Sequence, residues 1–257
     1  MKVKKIITGM LLIAIFMTQI NIIPFSEFVY AQVAENVNST KFHYQQLNDT
    51  AKKVYDGIYE MYEQGILKTG TESFDLAKDD KYVTQEQLEN YMKGNTELKD
   101  AMNAARYAFY ADYPEVFYVE FQKIKLRVTK DAQNRYHANI GSGNLKDYYV
   151  EGFTSKEQVE EEIIEFNNIV DEIAEGARNL EIQQGQTLVI EQIRYVHNQI
   201  INNTSYRVES DCTVGNESFI GTPYGALVRK QAVCEGYARA LKTVLDKIGI
   251  NCILVQG

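Results

Sequence analysis

Apolar residues recur at helical spacing in two stretches of the first half of the chain. The first runs over Thr50–Gln64. The second covers residues 98–109 and comes after Thr84–Gln87, whose residue types match a helix capping box. Pro114 predicts the end of this second helical stretch, because the residue before a proline is pushed out of the helical region. Between the helices, Gly65–Lys81 is predicted to be a loop. The two stripes consist of Val54, Ile58, Met61, Leu98, Met102, Ala105 and Phe109.

The pattern then changes from helical spacing to the alternation that is typical of strands. Short runs of this kind cover Val116–Val119, Ile124–Val128 and Arg135–Ile140. Gly141–Asn144 has the composition of a turn. These runs predict a small antiparallel sheet with one face towards solvent.

Helical spacing returns in the second half of the chain. A long helix is predicted from Ser155 and another over Thr187–Ile201. A third helix is predicted to end at Gly249, where a glycine commonly follows a helix, and Ile250–Val255 is predicted to be a buried strand. The whole pattern predicts an α+β fold. The three stripes are Val159, Ile163, Phe166, Val170 and Ile173; Ile190, Ile193, Val196 and Ile200; and Tyr237, Leu241, Val244 and Ile248.

The first 31 residues have the three-part layout of a secretory signal peptide. Three lysines precede a largely apolar run over Ile6–Ile23, and Val29-Tyr30-Ala31 offers small residues at the −3 and −1 positions of a cleavage site. Cleavage after Ala31 is predicted, so the protein is expected to be secreted or at the cell surface. The alternative is an uncleaved anchor, since the run is near the length that spans a bilayer. After cleavage no stable membrane insertion is expected.

The composition is that of a globular protein, with 45% of the 257 residues apolar and 24% charged. The formal net charge is −8, and loss of a leader with three lysines and one glutamate lowers it to −10. Such a chain lacks the basic excess that neutralises phosphates, so no nucleic-acid partner is predicted. The sequence shows neither paired C-x-x-C spacing nor an acidic calcium loop, so no metal site and no cofactor are predicted.

The three cysteines, Cys212, Cys234 and Cys252, cannot all pair within one chain, so at least one thiol is free or pairs with another molecule. Pairing of Cys212 with Cys252 stays open, because spacing in sequence gives no distance. Cys234 falls at or just before the first turn of the last predicted helix. Free N–H groups and the helix dipole favour negative charge there, and the thiolate is the reactive form of cysteine. The alternative interpretation of Cys234 is a small buried apolar residue.

The residues around Cys234 resemble the nucleophile segment of the transglutaminase-like superfamily, in its bacterial secreted branch with distantly papain-like chemistry. The resemblance is carried by Gly225–Val228, Ala232–Ala238 and Leu245–Ile250, and it is dense across residues 224–257. This resemblance favours Cys234 as a nucleophile over the packing interpretation.

Two segments further upstream extend the resemblance. Tyr195–Tyr206 is similar to the helix and its exit that precede the nucleophile segment in the family, and Ala108–Val119 is similar to a stretch often found before that domain. The expected organisation is therefore a signal peptide over residues 1–31, a helical and small-sheet region over 32–150, and a transglutaminase-like core, incomplete at its C-terminus, over 151–257.

The resemblance implies a Cys-His-Asp triad in which the Cys234 thiolate attacks an amide carbonyl of a protein or peptide to form a thioester. In the family the histidine and aspartate lie on later strands, beyond Gly257 here. No residue of this chain receives either role, and the chain alone is expected to be an inactive fragment. The implied enzyme is a protease, a deamidase or an acyltransferase. The alternative is a non-catalytic extracellular binding module on the same fold.

Four further residues, Tyr224 and the three histidines, are considered for a place near this segment. Tyr224 is a possible cleft-lining residue, with packing as its other interpretation. His197 is expected on a helix face and His43 in an exposed position near the mature N-terminus. His137 is expected within a strand and resembles nothing catalytic.

Overall fold

The fold is described for the part of the chain that follows the predicted leader. The leader with its cleavage position after Ala31, most of the turn predicted at Gly141–Asn144, and Cys212 lie outside the described residues. Predictions that concern them therefore stay predictions. The computed structural model describes residues 41–69, 73–141, 148–181, 183, 187–208 and 217–255.

The first region contains the two predicted helical stretches, the second of them divided in two. Thr84 and Gln87 form the predicted capping box, and a break at Gly94, where φ is +95°, separates that helix from the next. The following helix ends at Asp112, as Pro114 predicts. All seven residues of the two apolar stripes are buried. The helices are α1 (Phe42–Gln45), α2 (Asp49–Glu63), α3 (Ile66–Thr69), α4 (Gln85–Met92) and α5 (Glu97–Asp112).

A small antiparallel sheet packs beside these helices, with strand order β1-β3-β2. Two of its strands were predicted, but β1 falls within the predicted loop Gly65–Lys81. Three residues are too few to show an alternating pattern, and β1 is held by pairing with β3. The prediction of a strand over Val116–Val119 is wrong. That segment is apolar because it is buried among turns, and it makes one isolated bridge, from Val119 to Tyr149. The strands are β1 (Ser73–Asp75), β2 (Leu126–Lys130) and β3 (Tyr136–Gly141).

The second region is built on the three predicted helices and one short helix that the pattern did not show. The Ser155 side chain caps the longest helix by accepting a hydrogen bond from the backbone N–H of Gln158. Gly249, with φ at +82°, follows the end of the last helix, as predicted. A parallel pair of two-residue strands lies between them. The elements are α6 (Lys156–Arg178), α7 (Leu188–Asn203), β4 (Ser205–Tyr206), α8 (Pro223–Leu227), β5 (Gln231–Ala232) and α9 (Cys234–Lys247).

The segment after α9 corrects another prediction. Ile250–Val255 forms neither a helix nor a strand that pairs with any described strand, and 82% of Val255 is exposed. An apolar run forms a buried strand only where a neighbouring strand pairs with it. None of the described strands pairs with this segment. Side chains hold it instead. Lys242 Nζ donates to the Cys252 carbonyl over 3.1 Å, and His43 Nε2 lies 2.9 Å from the Leu254 carbonyl oxygen.

Both regions contribute to one hydrophobic core. Ser39–Gly257 forms a single unit, and Phe117 of the first region packs on Phe166 and Tyr224 of the second. The mixed helix and small-sheet composition confirms the α+β class, and the boundary at residue 150 stays a prediction. Among the described helices, none combines the length and the apolar character needed to cross a bilayer.

A buried carboxylate joins α1 to α5. The Asp112 side chain is fully buried and accepts hydrogen bonds from the backbone N–H groups of His43 and Tyr44 and from the hydroxyl of Tyr55. His43 Nδ1 lies 2.9 Å from the same carboxylate. The prediction that His43 is exposed is therefore wrong, since 12% of its side chain is accessible. Local sequence does not indicate this burial, because the partners of His43 lie 69 and 211 residues away.

The sheet carries a pH-dependent contact at His137. Its ring nitrogens lie 2.7 Å from Asp75 of β1 and 3.1 Å from Asp131 after β2, and hydrogen bonds to these carboxylates raise the pKa of His137 above its ordinary 6.5. A raised pKa stabilises the folded state at low pH, and the effect is lost as pH rises through the raised value. The His137→Gln variant should therefore lower the melting temperature most at about pH 6 and progressively less towards about pH 9. Thermal unfolding followed by circular dichroism measures this, and an equal loss at both pH values would contradict it.

Candidate active site around Cys234

Cys234 is the first residue of α9, and its thiol is free and exposed to solvent. The helix starts from Val233, whose side chain makes no capping hydrogen bond, so the N–H groups of the first turn have no cap from that residue. The backbone N–H of Val233 donates to the Ile220 carbonyl over 3.0 Å. This bond fixes the turn between β5 and α9 that presents Cys234. The predicted position of the cysteine at a helix start is confirmed.

Two glycines allow the chain to close around this turn. A Cβ atom on Gly236 would lie 2.3 Å from the Ile220 carbonyl oxygen, and one on Gly225 would lie 2.3 Å from the Phe219 carbonyl oxygen. Both oxygens belong to the single-turn helix Ser218–Gly221. Because real Cβ atoms do not approach backbone so closely, only glycine fits either position. Both glycines belong to the segments that carry the family resemblance, so those segments form the frame of the cysteine.

Tyr237 fixes the other side of the same frame. Its hydroxyl donates to the Thr204 carbonyl over 2.7 Å, and its ring stacks on Tyr206, with 6.2 Å between the ring centroids. Burial raises the pKa of Tyr237, so the hydroxyl keeps the proton that it donates. The end of α7 and the start of α9 are thereby held together at the level of Cys234.

An open cleft of about 960 Å³ lies between α5 and α9, with Cys234 in its wall. Helix α9 contributes Cys234 and Ala238 to one wall. Helix α5 forms the facing wall with four side chains spaced at i, i+3, i+4 and i+7, which places them on one helix face. These four residues are Asn103, Arg106, Tyr107 and Tyr110.

Arg239 joins the two walls of the cleft. Its side chain is 5% exposed, and its guanidinium lies 3.7 Å from the centroid of the Tyr110 ring. It donates to the Tyr110 carbonyl over 2.7 Å and to one carboxylate oxygen of Glu235 over 2.8 Å. Burial raises the pKa of Tyr110 to about 12. The relative position of the two helices is thus set by a buried cation whose three guanidinium nitrogens each donate to a protein oxygen.

Tyr224 does not line this cleft. It is 3% exposed, its ring stacks on Phe117 at 4.8 Å and 9°, and its hydroxyl donates to Glu162 of α6 over 2.9 Å. Burial raises its pKa to about 12. The possible cleft role is therefore corrected to packing, the other interpretation that the sequence allowed. Tyr224 lies close to Cys234 in the sequence because it anchors α8 to the core.

None of the three histidines lines the cleft. Both ring nitrogens of His43 are engaged, by Asp112 and by the Leu254 carbonyl. His137 lies on the sheet between two carboxylates, and His197 lies on α7 with its ring next to Asn198. The described residues therefore bring no imidazole to Cys234. Within those same residues, no group of three or more histidine, cysteine or acidic side chains is arranged to hold a metal ion.

Cys252 provides a contrast to Cys234 within the same chain. It is partly buried, and burial raises the pKa of its thiol to about 11. Asp246, whose carboxylate pairs with Lys242, adds to the rise. Cys252 is therefore a protonated, poorly reactive thiol at neutral pH. Whether it pairs with Cys212 stays open, since Cys212 lies outside the described residues.

The sequence pattern does not identify the wall on α5 as part of a site. Its residues alternate with the buried stripe of the same helix, so they could have been recognised as the opposite face. Helix α9, which lies across the cleft from them, could not have been recognised as their neighbour, because contacts between α5 and α9 join residues more than 120 positions apart. Sequence periodicity predicts which face is buried but not which element lies opposite the exposed one.

The close approach at Gly236 generates a stability prediction. Gly236→Ala should lower the free energy of unfolding by about 1–3 kcal/mol, because the added methyl group meets backbone that cannot move aside. Gly176→Ala in α6 is the matched control. Its Cβ would meet the hydroxyl and ring of Tyr195, which are side-chain and not backbone atoms, and a gain in helix propensity of up to about 1 kcal/mol offsets the contact. Urea denaturation compares the two, and an equal or larger loss for Gly176→Ala would contradict the assignment.

Comparison with models of protein families found no match to this chain, and comparison with curated proteins found none. Function is therefore inferred from the geometry around Cys234 and from the resemblance of its motif.

Proposed function

We propose that the protein is an exported transglutaminase-like thiol enzyme in which Cys234 attacks the amide carbonyl of a protein or peptide. The observation that carries this proposal is the position of Cys234. It is a free, exposed thiol on the first turn of α9, in the wall of a large cleft. The motif glycines and Tyr237, which carry the resemblance, are the residues that hold it there.

The proposed reaction has two steps. The Cys234 sulfur bonds to the carbonyl carbon, and the C–N bond breaks as the amine or ammonia leaves with a proton. Backbone N–H groups at the start of α9 are suited to stabilise the oxyanion that forms on the way. In the second step water or an amine bonds to the acyl carbon, the C–S bond breaks, and the Cys234 thiol regains a proton from the attacking group. Water gives hydrolysis or deamidation, whereas an amine gives acyl transfer. In the family, the histidine that moves these protons follows the nucleophile segment on a later strand.

A second candidate is an extracellular binding module that uses the same cleft without chemistry. It is favoured by one observation, that none of the described histidines lines the cleft with Cys234. The two candidates differ in what they require of the thiol. An enzyme needs Cys234 as an activated nucleophile, whereas a binding module needs only the shape of the cleft.

Alkylation kinetics distinguish these two candidates. In the folded chain at about pH 7, iodoacetamide should label Cys234 faster than the same cysteine in the urea-unfolded chain, because an enzyme of this type needs an activated nucleophile. Cys252 is the internal control. With a pKa of about 11, roughly one thiol in 10,000 is ionised at neutral pH, so its labelling should be slow and should rise as the pH approaches that value. Peptide mapping by mass spectrometry assigns each site. A Cys234 that reacts no faster folded than unfolded would favour the binding module.

The Cys234→Ala variant separates chemistry from folding. Because the side chain is exposed, its removal should change the free energy of unfolding by no more than about 0.5 kcal/mol while eliminating fast alkylation. Urea denaturation and the iodoacetamide assay measure the two effects on the same preparation. Fast labelling that persists in Cys234→Ala would assign the reactive thiol to another cysteine and contradict the proposal.

A further inference from the structure

We propose that Arg106 binds a carboxylate of the polypeptide whose amide carbonyl reaches Cys234. This inference rests on the proposed function and adds a substrate class to it, that of acidic polypeptides. Arg106 lies on α5 and Cys234 on α9, and both line the cleft between these helices. The carboxylate belongs either to an aspartate or glutamate side chain or to the C-terminus of the bound chain.

The Arg106 guanidinium is held in place by hydrogen bonds that do not use all of its donors. Nη1 donates to the carbonyl oxygens of Phe121 and Ile124, and Nη2 donates to the side-chain oxygen of Asn103. A guanidinium has five N–H groups. The Nε–H and one hydrogen of Nη2 therefore have no acceptor among the described residues. Carboxylates match the planar donor geometry of a guanidinium and form charge-assisted hydrogen bonds with it.

Arg106 also lacks a compensating negative charge. All of its acceptors are neutral, and no described carboxylate forms an ion pair with it. The side chain is partly buried, and this burial lowers the pKa of Arg106 below its ordinary 12.5, with no opposing effect from a nearby anion. A cation withdrawn from water is stabilised when an anion pairs with it. A carboxylate of the ligand would supply that negative charge.

The other charges that line the cleft cancel in pairs. Glu235 pairs with Arg239 over 2.8 Å, and Glu120 pairs with Lys123 over 2.6 Å. Arg106 is therefore the one cation left over among the charged groups that the structure describes in the cleft wall. One excess positive charge suits a carboxylate, which carries a single negative charge, better than a phosphate group, which carries nearly two.

Glu235 offers an acceptor next to Cys234. One of its carboxylate oxygens, Oε1, accepts from two nitrogens of Arg239, whereas Oε2 accepts no hydrogen bond from the described residues. Because Arg239 already neutralises this carboxylate, Oε2 is suited to a neutral donor, such as a peptide N–H of the bound chain. A basic side chain is the competing occupant of this oxygen, and a lysine probe tests it.

Contacts between the two walls place Arg106 close to the reacting centre. Arg106 lies one helical turn, about 6 Å, before Tyr110 on α5. The Tyr110 carbonyl accepts a hydrogen bond from Arg239, which also donates to Glu235. Glu235 directly follows Cys234 in α9. Since an extended chain spans about 3.5 Å per residue, the bound carboxylate is expected within a few residues of the amide that Cys234 attacks.

Alkylation by matched probes tests the site on the full chain. The probes are chloroacetamide and chloroacetylated tetrapeptide amides that are identical except for Asp, Asn or Lys, placed at each of the first three positions in turn. One further Asn peptide has a free C-terminal carboxylate, so that it separates the two sources of the carboxylate. With each probe a carbon–sulfur bond forms at Cys234, the carbon–chlorine bond breaks, chloride leaves and the thiol proton passes to solvent. Mass spectrometry measures the second-order rate constant at Cys234.

A carboxylate on the probe should speed the reaction. At the best of the three positions, the Asp peptide should react on the order of tenfold faster than the matching Asn peptide, because only Asp offers Arg106 a charge-assisted hydrogen bond. The Lys peptide should react no faster than the Asn peptide. If the bound carboxylate is a chain end, the Asn peptide with the free C-terminus should show the tenfold gain in place of the Asp peptide.

Two variants assign the preference to Arg106. Arg106→Gln should lower the ratio of the Asp-peptide rate to the Asn-peptide rate, or the corresponding ratio for the free C-terminus, to about one. Arg106→Lys, which keeps the charge but not the planar fork of donors, should give an intermediate ratio. Lys99→Gln is the matched control, since it removes an exposed positive charge from α5 that does not line the cleft. It should keep the wild-type ratio.

The contrary outcomes separate failure of the carboxylate site from failure of the proposed function. Equal rates for all carboxylate and amide probes, or an unchanged ratio in each folded Arg106 variant, would overturn the carboxylate site alone. A preference for the Lys peptides would also overturn it and would assign the cleft to a basic ligand at Glu235. A Cys234 that reacts with chloroacetamide no faster in the folded than in the unfolded chain would overturn the proposed function itself.

Discussion

The position of Cys234 depends on close packing of the backbone of one turn against the backbone of α8 and α9. The turn Ser218–Gly221 presents carbonyl oxygens at distances that only glycine tolerates, to Gly225 on α8 and to Gly236 on α9. This contact leaves α9 little freedom to shift, because both carbonyls are held by hydrogen bonds: Phe219 accepts from the N–H of Thr222, and Ile220 accepts from the N–H of Val233. The cysteine at the start of α9 is therefore placed by main-chain geometry, and its side chain stays free to react.

The cleft exists because the two regions of the chain are joined on either side of it. Arg239 links α9 to α5 through the ring and carbonyl of Tyr110, and His43 links the segment after α9 to Asp112 at the end of α5. Buried charged and polar groups such as these are costly unless they are fully hydrogen-bonded. Their partners here are supplied by distant parts of the sequence. The first region thus forms one wall of the site and does not merely precede it.

The local spacing of apolar and capping residues predicted much of this fold. The features that it did not predict depend on contacts between residues far apart in the chain. The stripes of α2, α5 and α6, the capping box at Thr84 and the helix start at Cys234 are set by neighbouring residues, and all are confirmed. β1, the burial of His43 and the cleft wall on α5 depend on partners far along the chain, which periodicity does not identify. The prediction of a buried strand over Ile250–Val255 is wrong for the same reason, since an apolar run does not identify the element that packs beside it.

Acylation of Cys234 by p-nitrophenyl acetate tests the central claim most directly. Nitrophenolate leaves without needing a proton, so the reaction reports on the thiol and its surroundings alone. We expect release of about one equivalent of nitrophenolate per chain, with the acetyl group mapped to Cys234 and removed by hydroxylamine, as a thioester would be. Acylation that is no faster in the folded chain than in the unfolded one, or that maps to another residue, would show that this frame does not activate Cys234.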